Sequence, residues 1–406
     1  MRRSVGSTGE RKRRAAASDV REAESAAPRE RSRPASARSG AARVRRAMLA
    51  LVLSTLAGLA IAELVCRWKF GAPLAERMPL MEVRANKLRG FEMIPSSEHY
   101  TYLQRVRVDN LGLRGEDVLA KEPGEVRVLA LGDSMTYGQG MGETETLPYQ
   151  MELALRARAN AARADAAAGA PRTNATTAGS VVDAAKIRVI NGGVRSYNTE
   201  QELGLLEAMW STIRPDVVVM FWFANDVDDP GIDALCARLE RSGPIVFDYN
   251  EPASARADFE WHLKQIVRHS ALVMRVRHVW TEAHWPELSP AALDKAFVKQ
   301  EQYLDEFARL AQRGDFDFVV AVVPLARIVE SDGATHPLTE RMRDLSVKHG
   351  VPFLDLAEPL RSVRRSSGKL PVLQYDGHYD APANAALGAS VADSLWKLCA
   401  ARFHVR

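Results

Sequence analysis

Five short apolar runs punctuate the chain from residue 126 onward, and they constrain its fold more than any other feature. They are Val126–Leu131, Ile187–Ile190, Asp216–Phe223, Phe316–Val323 and the weaker Val351–Asp355. The first four end in Gly132, in Asn191-Gly192-Gly193, in Ala224-Asn225-Asp226 and in Pro324. Runs rich in β-branched and aromatic residues, nearly unbroken by polar ones, suit strands buried on both faces. Helix-like stretches lie between them: Leu147–Ala159, Thr199–Ile213, Ala291–Arg313 and Pro337–His349. Strand alternating with helix predicts a parallel sheet covered on both sides. In an open sheet of that kind ligands bind beyond the carboxyl ends of the strands, so the polar residues there are the candidates for chemistry.

The chain has 406 residues, 46% hydrophobic and 26% charged. That is ordinary for a globular protein and excludes a wholly disordered chain, a collagen and a polytopic membrane protein. The net charge of +4 conceals an asymmetry. Residues 1–46 carry 14 Arg and Lys against 5 Asp and Glu, a net of +9, which leaves the remainder at −5. A mildly acidic body argues against nucleic acid as a partner of the folded part. Cys66, Cys236 and Cys399 are too few for a disulfide scaffold, and no spaced Cys/His set suggests a metal site or any cofactor. Cys236 and Cys399 are the pair expected to join if the body meets an oxidising compartment.

Residues 1–46 contain no Leu, Ile or aromatic residue, and are expected to be a disordered basic tail. Then Ala47–Ala62 runs sixteen residues without a charge, and through Cys66 the run reaches twenty, interrupted only by Glu63. A spanning helix needs about 20 residues, so 47–66 reads as a transmembrane anchor. Arg43, Arg45 and Arg46 precede it, which places the tail in the cytoplasm and everything after Arg67 outside. A cleaved signal peptide and a soluble core helix are the competing readings. Against cleavage, Glu63, Leu64 and Arg67 disturb any small-x-small site, and Glu63 occupies the lipobox position where Leu is wanted before Cys66.

Residues 67–124 read as a connector with one hairpin near Tyr100–Val108, and 125–402 as the main domain. Arg156–Ala185 looks like an expanded surface loop. Asp228–Pro290, with Tyr249, Trp261, Trp280 and Trp285, reads as an inserted helical lid at about 228–290.

The strand ends carry the candidate chemistry. Gly132-Asp133-Ser134 sets a serine on a strand-to-helix turn, where its hydroxyl projects at the top of the sheet. No Gly-Lys-Ser/Thr and no Gly-x-Gly-x-x-Gly accompanies it, so a nucleotide loop is disfavoured. Asp376-Gly377-His378 supplies a histidine with an acid two residues away, the pairing that fixes an imidazole tautomer. Asn225 follows the most hydrophobic strand, where its amide could donate to an oxyanion. Asn191–Asn198 is a loop whose backbone N–H groups could do the same.

These four elements, in this order, resemble the SGNH/GDSL hydrolase family over roughly residues 105–400. Gly132-Asp133-Ser134 is similar to its first block, Asn191-x-Gly193-x-x-Ser196 to its second, Ala224-Asn225-Asp226 to its third and Asp376-Gly377-His378 to its last. Ser196 stands where that family usually has glycine, Phe223 stands where glycine usually precedes the asparagine by two, and the last block is one residue shorter than usual. Asn110-x-Gly112-x-Arg114 and the anchor ending Glu-Leu-x-x-Arg are similar to membrane-anchored bacterial members.

The resemblance implies a three-layer α/β/α sandwich on a parallel, flavodoxin-like five-stranded sheet. It implies a serine esterase acting on acyl esters, short-chain or carbohydrate O-acyl, with Ser134, His378 and Asp376 as triad. The N–H groups of Ser134 and Ser196 and the side chain of Asn225 would form the oxyanion hole. Transfer of the acyl group to a polysaccharide hydroxyl, and a non-catalytic binding module, are the alternatives. If Ser196 acts through its backbone, Ser196→Gly is expected to keep activity at a small cost in stability.

Overall fold

The structure, a computed structural model, describes residues 35–168, 180–227, 231–243, 245–246, 263, 266–284 and 288–405. Most of the basic tail, residues 169–179 of the expanded loop, and Tyr249, Trp261 and Trp285 of the insert lie outside the described residues. The chain divides into two compact units, Met1–Ile61 and Ala62–Arg406.

In the first unit the described residues are helical and belong to a helix that runs Ala35–Phe70, beyond both ends of the expected span. Its stretch Gly40–Phe70 contains an 18-residue window of mean hydropathy 2.2 with no buried share. It is long and apolar enough to cross a membrane.

The second unit opens with β1 (Glu82–Asn86) and β2 (Gly90–Met93), then β3 (Glu98–Thr101) and β4 (Gln104–Arg107), the expected hairpin. The central strands are β5 (Val126–Gly132), β7 (Ile187–Gly193), β8 (Val217–Trp222), β10 (Asp317–Val322) and β11 (Phe353–Asp355). The two-residue strands β6 (Ser180–Val181), β9 (Ile245–Val246) and β12 (His404–Val405) lie outside that sheet. The order across the central sheet is β11-β10-β8-β5-β7, every pair parallel. Counted along the chain, that is 2-1-3-4-5, the flavodoxin-like order. Gly132 pairs with Gly193 and Phe221, so the ends of three strands meet at one level.

Alternate residues of each strand feed two cores. Leu129, Leu131, Val218, Met220 and Trp222 face one, together with Leu206 and Phe307 from the helices Thr199–Ile213 and Pro290–Gly314. Val128, Ala130, Val219 and Phe221 face the other, with Leu155 and Leu387 from the helices Leu147–Ala167 and Ala381–Leu398. The last two helices approach closely because Gly388 has no side chain. A Cβ there would lie 2.6 Å from the backbone nitrogen of Met151.

The segment expected as a connector is built into the first core through Val83, Phe91, Met93, Val106 and Leu113. The insert adds β9 to the edge of β1 and the helix Ile232–Ser242 against β1 and β2. The helix starting at Leu147 continues to Ala167 rather than stopping at Ala159, since Ala and Arg are strong helix formers.

The expected Cys236–Cys399 pair does not form; all three cysteines are free. The reason is topological. Cys236 lies on the helix whose Leu235 and Leu239 pack into the first core, whereas Cys399 is part of the second, across the sheet.

Candidate active site

The turn after β5 is shaped by crowding. At Gly132 a Cβ would sit 2.1 Å from Thr136 Oγ1, and at Gly193 one would sit 2.2 Å from the nitrogen of Tyr137. The first and second blocks therefore pack backbone against backbone. Asp133 caps the short helix Ser134–Tyr137 by accepting from the N–H of Met135 at 2.8 Å. Its second oxygen accepts from Asn225 Nδ2 at 3.0 Å. Burial pushes the Asp133 carboxyl above the usual carboxylate range, and these donors only partly offset that.

Ser134 Oγ lies 2.7 Å from His378 Nε2, and His378 Nδ1 lies 2.5 Å from Asp376 Oδ1. A carboxylate at Nδ1 keeps the proton there and leaves Nε2 as an acceptor for the serine hydroxyl. The loop that presents the pair is tight. Leu373 N–H donates to His378 O at 2.7 Å, and Tyr375 and Gly377 both take positive φ, 71° and 89°. Burial pulls the pKa of His378 down. The charge and hydrogen bond of Asp376, with Asp133 beyond, outweigh it, so the histidine titrates above its ordinary value. Burial works to raise Asp376; the charge of His378 and the donors around it outweigh that and hold it low.

Asp376 Oδ2 accepts the hydroxyl of Tyr102, a residue at the turn between β3 and β4 with left-handed backbone (φ 54°). Burial, then the adjacent Asp376 charge, drives the Tyr102 phenol upward, so it stays a proton donor. Arg195, on the loop after β7, puts its charge on both Asp376 and His378. Arg114 is 4% exposed, and its guanidinium donates to the carbonyls of Tyr137, Gly138 and Met141 at 2.6–2.8 Å. It clasps the loop that follows the turn carrying Ser134.

A cleft of about 180 Å³ opens over these groups. Ser134, Asp376 and His378 line it with Asn225, and Met135, Phe223, Leu325 and Arg327 form its sides. The structure thus brings together Ser134, Asp376, His378 and Asn225. Ser196 is exposed, with φ 63°, and is not among the residues lining the cleft. A larger hollow of about 290 Å³, lined by charged residues around Arg156 and Arg188, contains none of the three. Among the described residues no group of three or more His, Cys, Asp or Glu is placed to hold a metal ion.

Sequence reasoning missed Tyr102 and Arg195, and gave Arg114 no role. Arg114 had a signal, the Asn110-x-Gly112-x-Arg114 turn. Tyr102 had none, because nothing local ties a hairpin turn to a loop near the C-terminus.

Three of the blocks sit at the adjoining ends of β5, β7 and β8 in a 2-1-3-4-5 sheet; the fourth lies not at a strand end but on the loop before the helix Ala381–Leu398, which brings His378 to Ser134. This arrangement resembles that of the SGNH/GDSL hydrolase family. No family model matches the chain, and no curated protein does. Among solved structures it is similar to an acetyl xylan esterase at 13% identity, covering 67% of this chain and 98% of that one, with a TM-score of 0.37. It is similar to a GDSL-like lipase from Parabacteroides merdae at 13% identity, covering 68% and 99%, with a TM-score of 0.36. It is also similar to the psychrotrophic esterase EstA from Pseudoalteromonas sp. at 12% identity, covering 68% and 100%, with a TM-score of 0.36. At such identities and TM-scores these likenesses carry no chemistry to this chain.

Proposed function

We propose that the protein is a membrane-anchored serine hydrolase that cleaves acyl esters through an acyl-enzyme on Ser134. What carries this reading is the hydrogen-bonded series from Ser134 Oγ through the His378 imidazole to Asp376. His378 Nε2 takes the hydroxyl proton as Ser134 Oγ bonds to the ester carbonyl carbon. Asp376 stabilises the imidazolium, which then gives its proton to the departing alcohol. Water, deprotonated by the same nitrogen, releases the acid and restores the serine.

The oxyanion would be met by the N–H groups of Ser134 and Ser196 and by the Asn225 amide, which Asp133 holds in place. A small, mostly apolar cleft fits short acyl groups better than long ones. Carbohydrate O-acyl esters are compatible, because the alcohol can stay in solvent. The apolar helix is the anchor, and the arginines before it put the catalytic body on the far side of the membrane.

Release of p-nitrophenol from its acetate and butyrate esters, with and without an oligosaccharide acceptor, tests this. Hydrolysis in water alone, abolished by Ser134→Ala, supports the esterase. Product forming only with acceptor would make the protein an acyltransferase with the same three residues. No turnover of either kind would leave a binding module.

A further inference from the structure

Glu63 is the one charge inside the apolar run, and it is fully committed. Its carboxylate accepts from the N–H of Ala271 at 2.9 Å, from the N–H of Leu272 at 2.8 Å and from the hydroxyl of Ser270 at 2.7 Å. It thereby caps the helix Ala271–Ala283 of the insert. Arg67, one turn on, donates to Glu63 at 2.6 Å and to the carbonyl of His269 at 2.5 Å. The Arg275 guanidinium lies 4.5 Å from the centre of the Phe70 ring. The last turns of the apolar helix and the first turns of this one are joined by at least five contacts.

The helix Ala271–Ala283 is two-sided. Ala271 is buried, and Met274, Arg275 and His278 are half-buried, at the spacing of one helical face. Val273, Val276 and Trp280 recur on the opposite face, with Val276 61% and Trp280 62% exposed. Val279 and, just upstream, Ile266 are exposed as well. From residue 263 to the end of the helix the sequence has Lys264, Arg268, Arg275 and Arg277 against one acid, Glu282; Arg268 is paired with Glu76 and Arg275 packs on Phe70. An apolar stripe with a tryptophan, bordered by the exposed Arg277, is the composition of a helix that lies in a membrane interface and favours anionic lipid. Long arginine side chains can keep their charge at the headgroups while their stems cover apolar surface.

We propose that the Val273–Val276–Trp280 face of this helix rests in the headgroup region of a bilayer containing anionic lipid, where the anchor joins the body. The inference depends on the apolar helix spanning a membrane, as in the proposed function. Its chemistry is independent of the ester-cleaving site. The consequence is that the body is held at the membrane by two elements, a span and an interfacial helix.

Tryptophan quenching by lipid tests it with the full chain. The protein is reconstituted into nanodiscs of phosphatidylcholine and phosphatidylglycerol, with and without brominated acyl chains. The emission of Trp280 is the difference between the unmodified protein and Trp280→Phe. Trp68, near the end of the apolar helix, is read the same way through Trp68→Phe. Loss of most of the Trp280 emission in brominated lipid, less marked when phosphatidylglycerol is omitted, is the expected result. Quenching of Trp68 with Trp280 unchanged would overturn the proposal while leaving the span intact. So would a Trp280 shielded from aqueous iodide yet insensitive to bromine, since protein would then cover the face. Failure of the chain to enter the nanodiscs would overturn the span itself.

Discussion

Tyr102 and Asp376 stand 274 residues apart in the chain, yet the tyrosine hydroxyl donates to Asp376 Oδ2 while Oδ1 takes Nδ1 of His378. The segment before the central sheet therefore completes the site. Through it, the acid is held ionised and in one rotamer.

Tyr102→Phe keeps the ring that packs near Gly140 and removes only the donor. A hydrogen bond to a charged group is worth about 1.5–3 kcal/mol, so kcat for ester hydrolysis should fall roughly tenfold or more. With one donor fewer, Asp376 becomes a stronger partner for the imidazolium. The acid limb of the pH profile should move to higher pH. A loss of stability with the limb unmoved would mean that Tyr102 is only packing.

The pH dependence of the unmodified protein follows from His378. Only neutral His378 can take the serine proton, and its pKa is held above the ordinary value of about 6.5. Activity should rise with pH on a limb centred above that value. Because the folded pKa is raised, the stability contributed by this histidine is complete below the unfolded value and fades as pH rises through the folded one. Comparing kcat/KM and denaturant midpoints over this range, with His378→Ala as reference, should show activity rising as that contribution declines. An activity limb at or below the ordinary histidine value would contradict the assignment.

Ser196→Gly and Asn225→Ala probe the oxyanion assignment from opposite sides. Ser196 has φ 63°, a region that costs a non-glycine residue roughly 1–2 kcal/mol. Glycine escapes that cost but adds about 0.4–1 kcal/mol of unfolded-state entropy. The variant should be as stable as the parent or slightly more so, which reverses the small cost expected from sequence. Activity should stay within a few-fold. Asn225→Ala removes a donor and also frees Asp133 Oδ2, and should slow turnover by about 10²–10³. Equal damage from both, in folded proteins, would move the second block elsewhere.

Much of this was legible in the sequence, for a physical reason. Strands buried on both faces carry few polar residues, so Val126–Leu131, Asp216–Phe223 and Phe316–Val323 stood out, each with a single charged residue, and the polar strand ends with them. Ser134, Asn225, Asp376 and His378 were readable because each lies beside its own structural punctuation. Tyr102 and Arg195 were not, since their roles arise from contacts between segments far apart in the chain. The disulfide expectation failed likewise: it depended on which face of the sheet each cysteine reaches. The helix Ala357–Ser367 escaped notice because its buried side rests on few residues, Ala357, Leu360 and Arg361.

Arg114 should matter to folding more than to chemistry. Its buried guanidinium donates to three carbonyls of the loop after the turn that carries Ser134. Arg114→Met removes the guanidinium, but Gly138 O keeps the N–H of Met141 at 3.1 Å and Tyr137 O keeps Asn191 Nδ2 at 3.4 Å, so the main loss is at Met141 O, about 1–3 kcal/mol if it stays buried. Thermal unfolding should show a loss of about 1–3 kcal/mol. A neutral result would mean that water replaces the side chain at little cost.

The central claim is that Ser134 is a nucleophile activated by His378. The direct measurement is the rate of covalent labelling by a fluorophosphonate, with the modified residue located by peptide mass spectrometry. One adduct is expected, on Ser134, forming far more slowly in His378→Ala and not at all in Ser134→Ala. The double variant should turn over ester no more slowly than the worse single one, since the two residues act as a unit. A folded protein that takes no label, or takes it on another serine, would rule out Ser134 as the nucleophile.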